Sequence, residues 1–462
     1  MVSTMKMCIY IISNSQLLVF LAFKQLAIYK RRNNFVEKKQ RHFMHLCALI
    51  IFVFTLFMVG CNKAMSDISV DESNVSSDLS QKSESTNDSR PKTIDGRKED
   101  LRFLRSSNNN LGTYNSEGFY RLITLSEGSS NIVYIDFKNE QLIYLCNQPS
   151  CTHSDSSCPS WIGNGLEGGA LIADESVLYY FANNGEIYQM NPDGNQKEKI
   201  GTRAAGTQLV GDIATDGDNL FWIQSQSNGT VSYSELYVIN LSSKEISLLA
   251  RFEDATTLCA TYGRALFLRH DTVDGQTLIT QYTVDTQEER TLRSGDSSYE
   301  YGASTHDRYV YIDYRDKSVK EYFYKSGELK ILQENIPMDG NTPIYLNALV
   351  DNHFVFTIHR ANGNSPYMIH EYNVVDLTTG EISHLLPTAD NMGEETAAEI
   401  AAITEDKYLV RYKIVDTTYH ILMNDGTTSI QQGPLAHYAF IDKDDYWNGN
   451  PNYSVVNINI KV

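Results

Sequence analysis

One pattern recurs along most of this chain at a nearly constant interval: a small or apolar strand, an acidic or glycine-bearing turn, then an aromatic and aliphatic strand. It reads Asp174-Glu175-Ser176-Val177-Leu178-Tyr179, then Asp218-Asn219-Leu220-Phe221-Trp222, then Arg264-Ala265-Leu266-Phe267. It returns as Asp307-Arg308-Tyr309-Val310-Tyr311, Asn352-His353-Phe354-Val355-Phe356 and Asp406-Lys407-Tyr408-Leu409-Val410. Measured from Leu178, Leu220, Leu266, Val310, Val355 and Leu409, the spacings are 42, 46, 44, 45 and 54. Each copy is followed by a hairpin such as Glu235-Leu236-Tyr237-Val238-Ile239-Asn240-Leu241-Ser242-Ser243-Lys244-Glu245-Ile246, and helical periodicity is not evident. A period of about 44 residues with about four strands per unit is the signature of propeller blades and not of helical solenoids. The expected fold is therefore all-β, a β-propeller spanning residues 106–462.

Six units are visible, and Gly118-Phe119-Tyr120 to Cys146 reads as one more that lacks its first strand. The run Ala436-His437-Tyr438-Ala439-Phe440-Ile441 near the C-terminus looks like a spare opening strand. Pairing the two would close the ring and remove two exposed sheet edges. Seven blades are expected on that basis, with six and eight as alternatives.

The residues before the repeats carry a different message. Lys38-Lys39-Gln40-Arg41-His42 is a basic patch leading into an uncharged run, Phe43 to Gly60, that ends Leu56-Phe57-Met58-Val59-Gly60-Cys61-Asn62. Basic region, apolar core and small-residue cleavage site in that order make a secretory signal. The end of the run resembles the lipobox of bacterial lipoproteins, which implies acylation of Cys61 as the mature N-terminus, although Met58 stands where leucine is usual. A membrane span is the alternative, but it needs about 20 apolar residues. Residues 1–35 fit no part of such a signal, and initiation near Val36 is the expectation. Residues 1–60 are read as the signal region. From Cys61 to about 105 follows a linker with no aromatic residue between Asn62 and Asp100 and nine serines between Ser66 and Ser89. Such a segment cannot bury enough apolar surface to offset its ordering entropy. As a flexible coil it would reach roughly 35 Å.

Charge narrows the choice of partners. Of 39 basic and 57 acidic residues, the first 61 positions hold eight and one, leaving 31 and 56 beyond, a net of −25. Such a domain repels phosphate backbones, so nucleic acid is excluded as a partner.

One compact constellation carries chemistry: Cys146, Cys151, His153 and Cys158, spaced C-x4-C-x-H-x4-C in a Ser/Asn-rich loop. Three thiolates and an imidazole suit tetrahedral zinc, and four protein ligands make a structural site rather than a catalytic one. The alternatives are disulfides, with Cys259 as the fourth thiol, and free thiols. The run Tyr144 to Cys158, together with Ile441-Asp442-Lys443-Asp444-Asp445-Tyr446-Trp447 to Pro451-Asn452-Tyr453, resembles surface lipoproteins of anaerobic Gram-positive bacteria. These carry a TolB-like β-propeller domain of unknown function, and the resemblance implies that fold and a cell-surface address but no activity.

No catalytic residue is assigned. His370-Glu371 begins a zincin-like motif, but Val374 occupies the position of the second histidine. Asp216, Asp218, Asp442, Asp444 and Asp445 are read as acidic turns rather than calcium ligands, and Tyr446, Trp447 and Tyr453 as packing rather than a sugar-stacking shelf. The function expected is a non-enzymatic binding module or scaffold for an envelope protein, peptide or glycan. It would be a monomer, lipid-anchored at the extracellular face of the bacterial cytoplasmic membrane. The alternatives are a hydrolase or lyase acting on extracellular polysaccharide or peptide, and a sensor or transporter accessory lipoprotein.

Overall fold

The structure is a computed structural model. It describes residues 99–460 apart from 108–110, 125–129, 164–168, 205–206, 228–231, 297–299, 337, 339–343, 362–367, 387, 392–393 and 423–427. The signal region, Cys61 and nearly all of the linker lie outside the described residues. The rest forms seven sheets in chain order, each built on four antiparallel strands, a seven-bladed β-propeller.

Blade 1 is Thr113–Tyr114, Gly118–Thr124, Ser130–Asp136 and Gln141–Tyr144; blade 2 is Ala170–Ala173, Leu178–Phe181, Glu186–Met190 and Glu198–Thr202. Blade 3 is Gln208–Thr215, Asn219–Ser227, Ser232–Asn240 and Ile246–Phe252; blade 4 is Ala255–Tyr262, Ala265–Asp271, Gln276–Thr283 and Glu288–Asp296. Blade 5 is Glu300–Ser304, Arg308–Asp313, Ser318–Phe323 and Leu329–Gln333; blade 6 is Ile344–Val350, His353–Ala361, Met368–Asp376 and Ile382–His384. Blade 7 is Glu399–Ile403, Lys407–Leu422, Thr428–Asp442 and Ser454–Val455. All six repeat positions found in the sequence fall in second strands.

The continuous apolar character of those strands has a simple cause. Successive side chains point to opposite faces of a strand, and each blade is covered on both faces by its neighbours. Leu220 and Trp222 pack with Tyr179 and Phe181 of blade 2. Their alternates Phe221 and Ile223 pack with Leu266 and Leu268 of blade 4. The same division continues around the ring. Tyr309 and Tyr311 join Phe267 of blade 4, whereas Val310 and Ile312 join Phe354 and Phe356 of blade 6.

A second recurring device sits in the outer strands. Register slips by one residue at Ile200, Leu249, Leu292 and Leu332, in blades 2 to 5. Each bulge residue packs into the cluster shared with the following blade. A bulge re-aims one side chain and adds local twist, so the same irregularity seats each of these blades on the next.

The ring closes differently from the sequence expectation. Ala436–Ile441 belongs to the third strand of blade 7, paired with its own hairpin partner from Val410↔Ala439 to Tyr408↔Ile441. Blade 1 does have a first strand, the two-residue Thr113–Tyr114, too short to be read as one. Closure comes from packing and from the C-terminal tail. Phe119, Val133 and Ile135 of blade 1 share a core with Leu409, Tyr438 and Phe440 of blade 7. Ser454–Val455 pairs with the third strand of blade 7. Asn457–Ile458 then crosses to pair in parallel with Gln141 and Leu142 of blade 1, with Val456 buried between the two pairings. The long 54-residue interval between Val355 and Leu409 is filled by an inserted hairpin, Ala389–Asn391 with Glu394–Thr396.

The folded unit also begins before residue 106. Arg102–Leu104 pairs with the first strand of blade 3, because Leu101 and Leu104 have apolar surface to bury there. The Leu101 N–H donates to the Gly263 carbonyl of blade 4, and the Ser107 N–H to Leu171 of blade 2. This segment therefore crosses three blades along their inner strands.

Because Val456 is buried at the seam, Val456→Asp should lower unfolding free energy by about 3 kcal/mol. Leu248→Asp, on the outer strand of blade 3 and 46% exposed, should change it by less than about 0.5 kcal/mol. Urea unfolding of the two variants checks the difference.

Candidate metal centre

The loop bearing the cysteines is an excursion from one strand edge. Gln141–Tyr144 pairs with the third strand of blade 1, and the Leu145 N–H still reaches the Ile132 carbonyl at 3.0 Å. The chain then leaves and returns to the same edge, where Trp161 bridges Asn131 and the Ile162 N–H donates to Ser130. Residues 146–160 are thus pinned at both ends by one strand.

Polar turns fold the loop onto itself. Asp155 Oδ1 accepts from the Ser157 N–H at 2.8 Å and its hydroxyl at 2.6 Å. The Gln148 amide donates to the Ser157 carbonyl at 3.1 Å. Ser150 and His153 adopt positive φ, 61° and 57°, a conformation that reverses the chain tightly at a steric cost for non-glycine residues. These reversals bring the ligand atoms of Cys146, Cys151, His153 and Cys158 within 4.8 Å of one another. An ideal tetrahedron of thiolates about zinc has edges of about 3.8 Å, so a small contraction would close the group on an ion.

Each member is held by something outside the four. The His153 ring stacks on Tyr144, centroids 4.2 Å apart and planes 24° apart, and its Nδ1 lies 3.3 Å from Cys158 Sγ. Cys158, 3% exposed, has the Ser160 hydroxyl 3.1 Å from its sulfur. Ser160 in turn donates to Asn131 Oδ1 at 2.9 Å. Burial lowers the His153 pKa, which favours the neutral imidazole that a metal needs. Burial pushes the Cys146 thiol up, whereas the His153 backbone N–H lowers that of Cys151. A cation bound between them would offset the cost of ionising the half-buried Cys146 thiol.

All four described cysteines are free thiols. Cys259 lies in the first strand of blade 4, its sulfur 3.6 Å from the Thr257 carbonyl, and does not join the cluster. With Cys259 apart, the clustered thiols number three.

Beside the cluster lies a cleft of about 640 Å³ between blades 1 and 2, with Tyr144 and Cys146 on one wall and Tyr120 and Tyr134 also lining it. Glu117 and Glu175 line it as well. Gly118 makes room for Tyr134, whose ring would collide with any Cβ there. Glu175 is fastened across the blade junction by the Ser116 hydroxyl at 2.5 Å. Nothing in residue spacing marked these tyrosines as neighbours of the cluster, because they come together only when two strands and a loop converge. The sole clue was Tyr144, two residues before the first cysteine.

Other residues singled out in the sequence have structural roles. Asp216 accepts from the Asn219 N–H at 2.8 Å and pairs with Arg264 at 3.0 Å. Asp445 accepts from the side chains of Asn450 and Asn452. Tyr446 is buried with its hydroxyl on the Ala398 carbonyl, Trp447 stacks on His353, and Tyr453 reaches Thr388. Glu371 is placed on the third strand of blade 6.

No protein-family model and no curated protein sequence matches this chain. Among solved structures, oligogalacturonate lyase from Vibrio parahaemolyticus is 12% identical with a TM-score of 0.43, over 76% of this chain and 100% of that one. An oligogalacturonate lyase in complex with manganese is 13% identical with a TM-score of 0.42, over 69% and 84%. TolB from Acinetobacter baumannii is 12% identical with a TM-score of 0.32, over 72% and 77%. The seven blades follow from the sheets themselves, and no activity passes from those proteins to this chain.

Ser160→Ala removes the hydroxyl beside Cys158 without adding bulk at this fully buried position. It should weaken metal retention about 10- to 100-fold, measured by competition with a chromogenic chelator. Chelator alone should open residues 146–158 to protease while the blades stay folded. A loop opened by reductant and not by chelator would speak for disulfides.

Proposed function

We propose that this chain is a membrane-anchored extracellular lipoprotein whose propeller acts as a non-enzymatic binding module at the cell surface, with one structural zinc ion fastening the loop between its first two blades. The observation that carries this reading is the sharing of Tyr144 and Cys146 between the cysteine–histidine cluster and the wall of the cleft. A polar loop has few apolar contacts to fix it, so a metal cross-link would give the cleft a defined wall. Zinc is favoured because three thiolates and an imidazole satisfy its tetrahedral preference without redox chemistry.

The anchor rests on the residues around Cys61. The chain enters the ring at Glu99, whose carbonyl Arg264 holds at 2.7 Å at the turn between the first and second strands of blade 4. The partner class is an envelope protein, peptide or glycan.

Three measurements test the reading. Protein kept reduced and free of chelator should contain about one equivalent of zinc, and His153→Ala should lose most of it. Less than a tenth of an equivalent would remove zinc from the proposal. Cys61→Ala should abolish labelling by a fatty-acid analogue, and retention of label would remove Cys61 as the lipid site. Pull-down from detergent-solubilised envelopes should retain a partner through the propeller. Turnover of a polysaccharide or peptide substrate with no partner retained would reverse the choice in favour of the hydrolase or lyase alternative.

A further inference from the structure

We propose that the long hairpin of blade 7 is a self-association arm that pairs edge to edge with the same hairpin of a second copy of this chain. Lys407–Leu422 and Thr428–Asp442 pair continuously from Lys407↔Asp442 to Leu422↔Thr428, with one irregularity between Arg411 and Lys413. The base of this ribbon is built into the ring. Tyr408–Arg411 also pairs with the first strand of blade 7, and Lys413 and Ile414 pair with Asp390 and Asn391. Ala439 and Phe440 pair with the outer strand. From Val415 to Leu422 and from Thr428 to Gly433 the two strands pair only with each other among the described residues. That is about 26 Å of two-stranded ribbon.

Such a ribbon is marginal alone in water, and each open edge is a row of backbone donors and acceptors able to template another strand. The two edges are not equivalent. Pro434 interrupts the one on Thr428–Asp442, since proline has no N–H to give, and Gly433 weakens it further. The edge from Asp416 to Leu422 has neither residue and is rich in strand formers, Thr417, Thr418, Tyr419 and Ile421. Asp390 and Asn391 already pair on that side at the base of the ribbon, so this is the edge to which the fold itself adds a strand.

Charge argues for a second copy as the occupant. The chain beyond position 61 is strongly acidic, and two copies repel one another over most of their surface. Residues 414–437 contain only Asp416 and Asp425 and no lysine or arginine, so the arm is where like-charged copies meet at least cost. An antiparallel pairing with two-fold symmetry centred on Tyr419 sets Thr417 opposite Ile421, Thr418 opposite His420 and Asp416 opposite Leu422, with no acid facing an acid. Symmetry of this kind gives a closed dimer rather than a fibre. The monomer expected from the sequence did not include an arm.

Because Tyr419 would face its own copy, the register can be tested by charge exchange. In sedimentation velocity of the full chain in density-matched detergent, the unaltered protein should show a monomer–dimer equilibrium in the micromolar range. Tyr419→Lys and Tyr419→Glu should each weaken it at least tenfold through repulsion across the axis, with melting temperature unchanged. Mixing the two variants should restore dimers. A chain monomeric at all concentrations overturns the proposal. So does a dimer that neither variant weakens, or one that the mixture fails to restore. Protection of the arm's amides only on adding an unrelated extended peptide would assign the edge to another partner, and would overturn it equally.

Discussion

Everything in this molecule depends on each blade being buried on both of its faces. A four-stranded sheet alone presents apolar residues to water on two sides. Placed in a ring, Leu220 and Trp222 find blade 2 while Phe221 and Ile223 find blade 4. No blade has a core of its own; the seven cores lie between blades. The stability of any one blade is therefore conditional on both neighbours, and the junction of blades 1 and 7 carries the same share as the others. The C-terminal tail matters for that reason, because it adds backbone pairing at the one junction that chain connectivity does not span.

This constraint explains what could be read in the sequence. Strands buried on both sides lose the polar–apolar alternation of a half-exposed sheet and appear as short runs such as Leu-Phe-Trp-Ile, recurring once per blade. The period, the fold class and the blade number follow. What was not legible is what such runs do not encode. Thr113–Tyr114 is too short to show as a strand. Ala436–Ile441 is apolar whether it opens a blade or sits third in one, and only hairpin register decides. The bulges at Ile200, Leu249, Leu292 and Leu332 leave no trace in composition, since the displaced residue is an ordinary aliphatic one.

The cysteine–histidine group was legible because its four members lie within one loop, so chain spacing and spatial distance nearly coincide. Its supports were not. Asn131 is close to Ser160 only through the return of the chain to the strand it left, and Tyr134 reaches the cleft only through the absence of a side chain at Gly118. Cys259 entered only through the disulfide alternative, and it lies three blades away in chain order, in the first strand of blade 4.

The segment that runs into the ring has a mechanical side. Glu99 and Leu101 are held by blade 4, Arg102–Leu104 by blade 3, and Arg102 and Ser107 by Asp174 and Leu171 of blade 2. Tension applied upstream of Glu99 along this strand would act on those bonds in shear, loading them together instead of peeling them in turn. It would be spread over three blades before any one of them had to yield. An entry segment built this way would pass traction into the body of the protein without first unravelling its edge.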